Sequence, residues 1–124
     1  MEQEVKYYPS SGGYPFSDAV RVGHMLYFSG QIGTNSAGKL VTGGIGAEME
    51  QAMKNIETVL KKCGSSFDEV VDVTVALTDI DDWPAMNTAY DKFFKKRFPA
   101  RSTCAVKELI MDARVEITCK AVAR

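Results

Sequence analysis

The spacing of apolar residues changes period in the middle of the chain, and this change constrains the fold most. In residues 45–63 apolar residues recur at intervals of three and four, with charged residues opposite, which predicts an amphipathic helix. Gly64 follows in the position of a C-terminal cap. In residues 71–78 apolar and polar residues alternate, which predicts a strand. A helix that leads into a strand in this way favours a crossover connection between parallel strands.

The segment before this helix predicts a β-hairpin. Residues 19–22 and 25–29 are apolar runs that flank Gly23 and His24, and the glycine can supply the positive φ of a tight turn. Residues 7–15 are rich in turn formers, so we expect them to form a loop and the first strand to begin near Ser17.

The segment after residue 78 predicts a second helix and two further strands. The helix is expected to begin after Asp82, with Pro84 in its first turn, and to end at Phe98, because proline follows there. The last two strands are expected at about residues 102–109 and 114–123.

These elements predict an α+β fold with one mixed sheet of about six strands, in the order ββ(β)αβαββ. Two right-handed crossovers place both helices on one face of the sheet. The other face would carry apolar residues of the segment 25–28 among threonine and glutamate side chains. Such a face is too apolar to remain wet, so we expect self-association to cover it.

Composition limits the function classes. The 124 residues are expected to form one domain, 1–124. Fifteen basic and sixteen acidic residues nearly balance, which argues against nucleic-acid or acidic-membrane binding. Three cysteines without a Cys-x-x-Cys motif favour a reducing compartment. Residues 1–6 do not have the composition of a signal peptide and no apolar run is long enough to span a membrane, so we expect a cytoplasmic protein.

Several motifs have ordinary structural interpretations that we favour. His24 is the only histidine and lies in the predicted turn, which argues against a catalytic triad or a histidine metal site. The glycines before the first helix lack the lysine and hydroxyl of a phosphate-binding loop. The basic cluster of residues 92–97 is expected in the last turns of a helix, where cations favour the helix dipole. The three cysteines are interpreted as small apolar residues.

Arg101 is the residue most suggestive of a site. It lies at the start of a predicted strand, where its guanidinium could bind a carboxylate or a phosphate. If the last two strands form an antiparallel hairpin, Glu116 would lie beside the strand that carries Arg101 and Thr103. The arginine could then bind a substrate carboxylate while the glutamate orients or deprotonates a water. An internal salt bridge between Arg101 and Glu116 is the alternative.

Over nearly its whole length the chain resembles the Rid family of reactive intermediate deaminases, also called YjgF-like proteins. The motifs that carry the resemblance are Pro-Ala-Arg-Ser at residues 99–102, Val-Glu-Ile at 115–117, Pro-Phe-Ser-Asp-Ala-Val at 15–20, Phe-Ser-Gly-Gln-Ile at 28–32 and Asn-x-x-Tyr-x-x-Phe-Phe at 87–94. Together these motifs are specific.

The resemblance implies a chorismate-mutase-like homotrimer with three clefts between subunits. It also implies hydrolysis of small 2-imino acids, such as 2-iminobutanoate and 2-iminopropanoate, to 2-oxo acids and ammonia without a cofactor or a metal. If the roles of the family's residues at the matching motifs apply here, Arg101 would bind the substrate carboxylate and Glu116 would orient the attacking water. The residues expected to line the cleft are Phe16, Ser29, Gly30, Asn87 and Thr103.

Four positions depart from the family pattern and concern substrate range more than fold. Phe16 stands where a tyrosine is usual, Tyr14 replaces a glycine, Gly33 replaces a proline, and Thr103 stands where a cysteine often lies. Three other functions stay open: a trimer that binds a 2-oxo acid without turnover, a single-strand ribonuclease or translation inhibitor, and a chaperone-like protein. The presence of Arg101 favours the deaminase.

Overall fold

The computed structural model describes residues 4–124. Residues 1–3, which belong to the N-terminal stretch from which we expect no signal peptide, lie outside the described residues. The described part forms six strands and two α-helices, with short 3-10 turns between some of them. In chain order they are β1 (Val5–Pro9), β2 (Ser17–Val22), β3 (Met25–Phe28), α1 (Ile45–Lys62), β4 (Val70–Leu77), α2 (Trp83–Asp91), β5 (Ala100–Ala105) and β6 (Val115–Val122).

The strands form one mixed sheet in the order β1-β2-β3-β6-β4-β5. The β4–β5 pair is parallel, and the other neighbouring pairs are antiparallel. Helix α1 lies in the connection from β3 to β4, which are parallel strands on either side of β6, and α2 connects the neighbours β4 and β5. The predicted α+β class, with a mixed sheet of about six strands and two crossover helices, is confirmed.

The first hairpin is confirmed, but it is not the start of the sheet. Strands β2 and β3 pair around Gly23, whose φ of 59° is in the left-handed region that a tight turn requires. The expectation that the first strand begins near Ser17 is wrong, because β1 pairs with β2 at the edge of the sheet. Most of β1 is exposed, so it lacks the apolar alternation by which a half-buried strand can be recognised.

Helix α1 matches its prediction closely. One side of it is buried in the core, with Met49, Met53 and Leu60 fully shielded from solvent. Gly64 takes a φ of 73°, and the amide of the next residue donates to the carbonyl of Leu60 at 2.8 Å, which closes the helix as a glycine cap does. No helix within residues 4–124 is both long enough and apolar enough to cross a membrane.

An ion pair between a buried carboxylate and a largely exposed arginine fixes the first turn of α1. Glu48 is completely buried, and its two carboxylate oxygens accept the backbone N–H of Arg114 at 2.8 Å and its guanidinium at 2.9 Å. The helix N-terminus also favours a negative charge at this position. The contact connects α1 to the segment that leads into β6.

Helix α2 ends earlier than predicted. It begins at Trp83 with Pro84 in its first turn, as expected, but its last residue is Asp91. The expectation that it continues to Phe98 is wrong. The ring of Phe94 packs 4.7 Å from that of Tyr90 and 5.4 Å from that of Phe67, counted between centroids. The chain leaves the helix where these aromatic contacts form, ahead of the proline.

The two faces of the sheet differ. Residues 115, 117, 119 and 121 of β6 are buried on the face that carries the helices, together with Val73 and Val75 of β4. A register irregularity between Val70 and Asp72 leaves Val71 exposed, although the alternation placed it with Val73. We call the other side the open face. It carries Tyr27, which is 44% exposed, and a depression of about 250 Å³.

Candidate active site

Arg101 lies near the beginning of the edge strand β5 and faces the helices. It is the register partner of Val73, which is buried on the helix-covered face. Its guanidinium carbon lies 4.8 Å from the centre of the Tyr90 ring, and one nitrogen donates to the sulfur of Met86 at 3.8 Å. Both contacts come from α2, so the helix holds the charged group in place at the edge of the sheet.

Among residues 4–124 no carboxylate forms an ion pair with Arg101, so no described residue neutralises its positive charge. Burial raises the pKa of Tyr90 to about 12, a shift that the nearby Arg101 charge only partly opposes, so the ring beneath the guanidinium is neutral at ordinary pH. A half-buried cation without a counter-ion is suited to bind an external anion.

Two other predicted site residues lie on elements that flank Arg101. Thr103 is two residues further along β5, so its side chain points to the same face. Asn87 follows Met86 in α2, and its side-chain oxygen is buried without a hydrogen-bond partner among the described residues. We call Asn87, Arg101 and Thr103 the arginine group.

Glu116 lies in β6 on the open face, paired in register with Ala76. It packs against Gly30, where an ideal Cβ atom would be 2.9 Å from the carboxyl carbon of Glu116, so the missing side chain leaves room for this carboxylate. Residue 31 pairs with residue 117 through two backbone hydrogen bonds of 2.8 and 3.0 Å. This pairing holds the glycine beside the glutamate.

The remaining predicted residues are connected to Gly30. The hydroxyl of Ser29 donates to the carbonyl of Ser17 at 2.5 Å, which links the chain before Gly30 to the start of β2. Phe16 precedes that serine and is 52% exposed, and its ring is parallel to that of Tyr14 at 5.5 Å. We call Phe16, Ser29, Gly30 and Glu116 the glutamate group.

The structure keeps the two groups apart within one chain. Strand β4 lies between β5 and β6, so the predicted hairpin of the last two strands is wrong. Arg101 is in register with Val73 and Glu116 with Ala76, which places their Cα atoms roughly 14 Å apart, with side chains on opposite faces. An internal salt bridge between Arg101 and Glu116 is excluded by the same geometry.

The aromatic and thioether contacts of Arg101 were not recognised from the sequence. Met86 and Tyr90 face the core, with exposures of 0% and 4%. The helical pattern of the sequence does not reveal that Arg101 lies over them, because that contact depends on β5 docking beside β4. The motif Asn-x-x-Tyr, which ends at Tyr90, was the sequence feature that could have pointed to this contact.

The other polar clusters among the described residues do not form an arrangement typical of a catalytic site. His24 is exposed in the β2–β3 turn, as expected. The basic cluster 92–97 follows the last residue of α2 and does not occupy its last turns, contrary to expectation, and Lys96 lies 3.6 Å from the carboxylate of Asp68. Cys104 is exposed, which contradicts its interpretation as an apolar core residue, whereas Cys63 and Cys119 are buried. Within residues 4–124 no group of three potential metal ligands comes together.

The fold and the site define a small mixed-sheet protein in which the edge strand presents an arginine free to bind an anion. The family model described as Endoribonuclease L-PSP matches residues 10–123, so the chain belongs to this family, which is also called the YjgF or Rid family. The resemblance inferred from the motifs is therefore confirmed.

Individual relatives agree with this assignment. A 2-iminobutanoate/2-iminopropanoate deaminase from Homo sapiens is 44% identical over 109 residues, which cover 87% of this chain and 80% of the human protein. The crystal structure of YyfA from Yersinia pestis, a member of the Rid family, has a TM-score of 0.87 at 38% identity and covers 99% of this chain and 98% of its own. The YjgF gene product of E. coli has a TM-score of 0.85 at 30% identity, with coverages of 95% and 94%.

Proposed function

We propose that this protein is a cytoplasmic, cofactor-independent deaminase that hydrolyses small 2-imino acids, such as 2-iminobutanoate and 2-iminopropanoate, to 2-oxo acids and ammonia. The proposal is supported by relatives named 2-iminobutanoate/2-iminopropanoate deaminase that are 42–45% identical to most of the chain. In it, Arg101 and Glu116 are the catalytic residues, and Phe16, Ser29, Gly30, Asn87 and Thr103 contribute to the substrate cleft.

The observation that carries the proposal is that Arg101 is held in place without a carboxylate partner among the described residues. Its guanidinium contacts a neutral ring and a thioether and has no carboxylate partner among residues 4–124. A 2-imino acid brings the carboxylate that this site lacks. A charge-assisted hydrogen bond of this kind contributes about 1.5–3 kcal/mol, which is sufficient to orient a small substrate.

The active site requires a second copy of the chain. Because Arg101 and Glu116 lie on opposite faces of the sheet, one substrate can contact both only if they come from different subunits. The partly apolar open face and the unpaired outer edge of β5 are surfaces that such a partner would cover. We therefore propose a homotrimer with a cleft at each interface, in which the arginine group of one subunit faces the glutamate group of the next.

The reaction needs few catalytic groups, because an imine carbon is already electrophilic. Arg101 binds the substrate carboxylate, and Glu116 orients a water toward the imine carbon and accepts one of its protons. The carbon–oxygen bond forms as the electron pair of the C=N bond moves to nitrogen. Protonation of that nitrogen makes it a leaving group. The new hydroxyl then loses its proton and its oxygen forms the C=O bond as the carbon–nitrogen bond breaks, which releases ammonia and leaves the 2-oxo acid. Orientation supplies most of the acceleration.

The test is the rate of ammonia release from 2-iminobutanoate generated in situ by oxidation of 2-aminobutanoate. The wild-type protein should exceed the buffer background, and Arg101→Ala should return the rate to that background. Arg97→Ala is a matched control, since this exposed arginine contacts only the carbonyl of Asp68 at 3.4 Å. Because no other hydrogen bond or ion pair of Arg97 is present among the described residues, this variant should retain the wild-type rate.

Two outcomes would contradict the deaminase. Equal rates for Arg101→Ala and the wild type would exclude the proposed carboxylate contact. Saturable binding of 2-oxobutanoate without imine turnover would instead favour a trimer that binds 2-oxo acids and has no enzymatic role.

A ribonuclease is the second candidate, because the matching family model is described as Endoribonuclease L-PSP. The surface for it would be the basic cluster 92–97. One of its cations already lies 3.6 Å from Asp68, which lowers the charge available to phosphates. Cleavage of single-stranded RNA that falls with salt and is lost in a variant with residues 95–97 replaced by alanine would support this candidate.

A further inference from the structure

The guanidinium of Arg101 is held in place, and no carboxylate in the part of the chain that the structure describes neutralises it. Arginine carries five N–H donors, and among the described residues the side chain uses one of them, toward the sulfur of Met86. The Tyr90 ring supports the guanidinium from one side at 4.8 Å. Two contacts therefore fix where the group lies, while most of its donors stay available.

The groups beneath Arg101 are themselves rigidly held. Met86 is completely buried, and Tyr90 is 4% exposed. The ring of Tyr90 packs 4.7 Å from that of Phe94, which in turn lies 5.4 Å from Phe67. An aromatic cluster anchored in the core thus prevents the Tyr90 ring from moving away from the arginine.

The chemistry of these two contacts suits an arginine that must bind an exchangeable anion. A protein carboxylate would hold the guanidinium more strongly, but it would occupy the donors that the substrate needs. The face of an aromatic ring attracts a cation through its quadrupole and accepts none of the in-plane N–H donors. The thioether is a weak acceptor and competes poorly with a carboxylate.

We propose that Tyr90, assisted by Met86, is a positioning residue that holds the guanidinium of Arg101 in the orientation that binds the substrate carboxylate. Tyr90 acts through Arg101 and does not touch the reacting atoms. The inference rests on the proposed function in that it names the residues that prepare its carboxylate site. The proposed role belongs to the face of the Tyr90 ring, so Tyr90→Phe, which keeps the ring and removes the hydroxyl near Arg101, tests whether the hydroxyl contributes.

The test compares two ligands that differ only in charge, 2-oxobutanoate and 2-oxobutanamide, by calorimetry on the assembled full-length protein. Tyr90→Met removes the ring but keeps much of its volume, and it should weaken 2-oxobutanoate binding by about 10-fold while binding of the amide changes less than about 2-fold. Tyr90→Phe keeps the ring face and should bind both ligands as the wild type does. In the imine assay Tyr90→Met should raise KM and leave kcat nearly unchanged.

Phe67→Leu is the matched control, because it disturbs the same aromatic cluster without removing a group that contacts Arg101. It should leave the preference for the carboxylate unchanged. If Tyr90→Met does not fold, Met86→Leu tests the other contact and should weaken 2-oxobutanoate selectively by about 2–3-fold, since a sulfur contact is weak.

The inference is overturned if the variants that fold weaken both ligands equally, or if they leave the preference for the carboxylate as it is in the wild type. These results are distinguishable from failure of the proposed function. A wild-type protein that binds 2-oxobutanoate in a Tyr90-dependent manner but does not hydrolyse the imine would reject the deaminase and retain the positioning role.

Discussion

Two inactive variants should restore each other's activity when they assemble together. Arg101→Ala lacks the carboxylate contact, and Glu116→Gln lacks the proton acceptor, so each alone should hydrolyse 2-iminobutanoate at the background rate. The strand order separates the two residues by β4 and directs them to opposite faces. A mixed trimer therefore contains some clefts in which an intact arginine of one subunit meets an intact glutamate of its neighbour.

The recovered activity follows from counting these clefts. A cleft is intact when its arginine comes from a Glu116→Gln subunit and its glutamate from an Arg101→Ala subunit. With equal amounts and random assembly each condition holds about half the time, so about a quarter of the clefts are intact. The assay is imine hydrolysis after the two variants are unfolded in urea together and refolded as one mixture, with each variant refolded alone as the background.

A second mixture makes the result decisive. When the wild type is refolded with an equal amount of the double variant, two-subunit clefts should retain about a quarter of the activity, whereas clefts built within one chain would retain about half. Zero recovery in the first mixture together with one half in the second would refute the two-subunit site. The assignment of Arg101 and Glu116 to opposite faces would then be incompatible with their joint role.

Two further predictions concern stability. Arg114→Ala should lower the free energy of unfolding in urea by clearly more than Lys61→Ala does, because it leaves the buried carboxylate of Glu48 with one backbone donor. Lys61→Ala, in an exposed pair 3.9 Å from Glu57, should cost less than about 0.5 kcal/mol. Equal losses would contradict the structural role of the Glu48–Arg114 pair. The second concerns Tyr90, whose pKa is raised by burial from 10.0 to about 12. Between these values the phenol loses its proton in the unfolded chain first, so the free energy of unfolding should fall by roughly 1 kcal/mol per pH unit. Urea titrations at about pH 9 and about pH 11 should show this decrease in the wild type, and Tyr90→Phe should lack this part of it.

Elements whose pattern is set by a single buried face could be predicted from the sequence. Helix α1 and strand β6 each repeat one period over many residues, and both were located to within about one residue. Strand β1 was missed because it lies at the exposed edge of the sheet. The end of α2 was misplaced because aromatic packing around Phe94 ended the helix before the proline that follows Phe98.

The pairing of strands could not be predicted in the same way. Arg101 and Glu116 were recognised by motif, and their separation follows from β6 pairing between β3 and β4 while β5 docks parallel to β4. No local periodicity in the sequence predicts this pairing of strands, because the pairing depends on contacts between segments far apart in the chain. An antiparallel hairpin is the simplest connection between consecutive strands, and here the fold does not use it.

The local packing of the arginine group and of the glutamate group indicates that a single chain should hold the side chains of both groups in place before it assembles. Gly30 leaves space for the carboxylate of Glu116, and the Tyr90 ring supports the guanidinium of Arg101. Neither arrangement needs the other, and each is connected to the core of the same chain. In the proposed trimer, assembly would therefore only have to bring two preformed surfaces together, and the entropy of ordering the proposed catalytic side chains would be lost during folding and not during substrate binding.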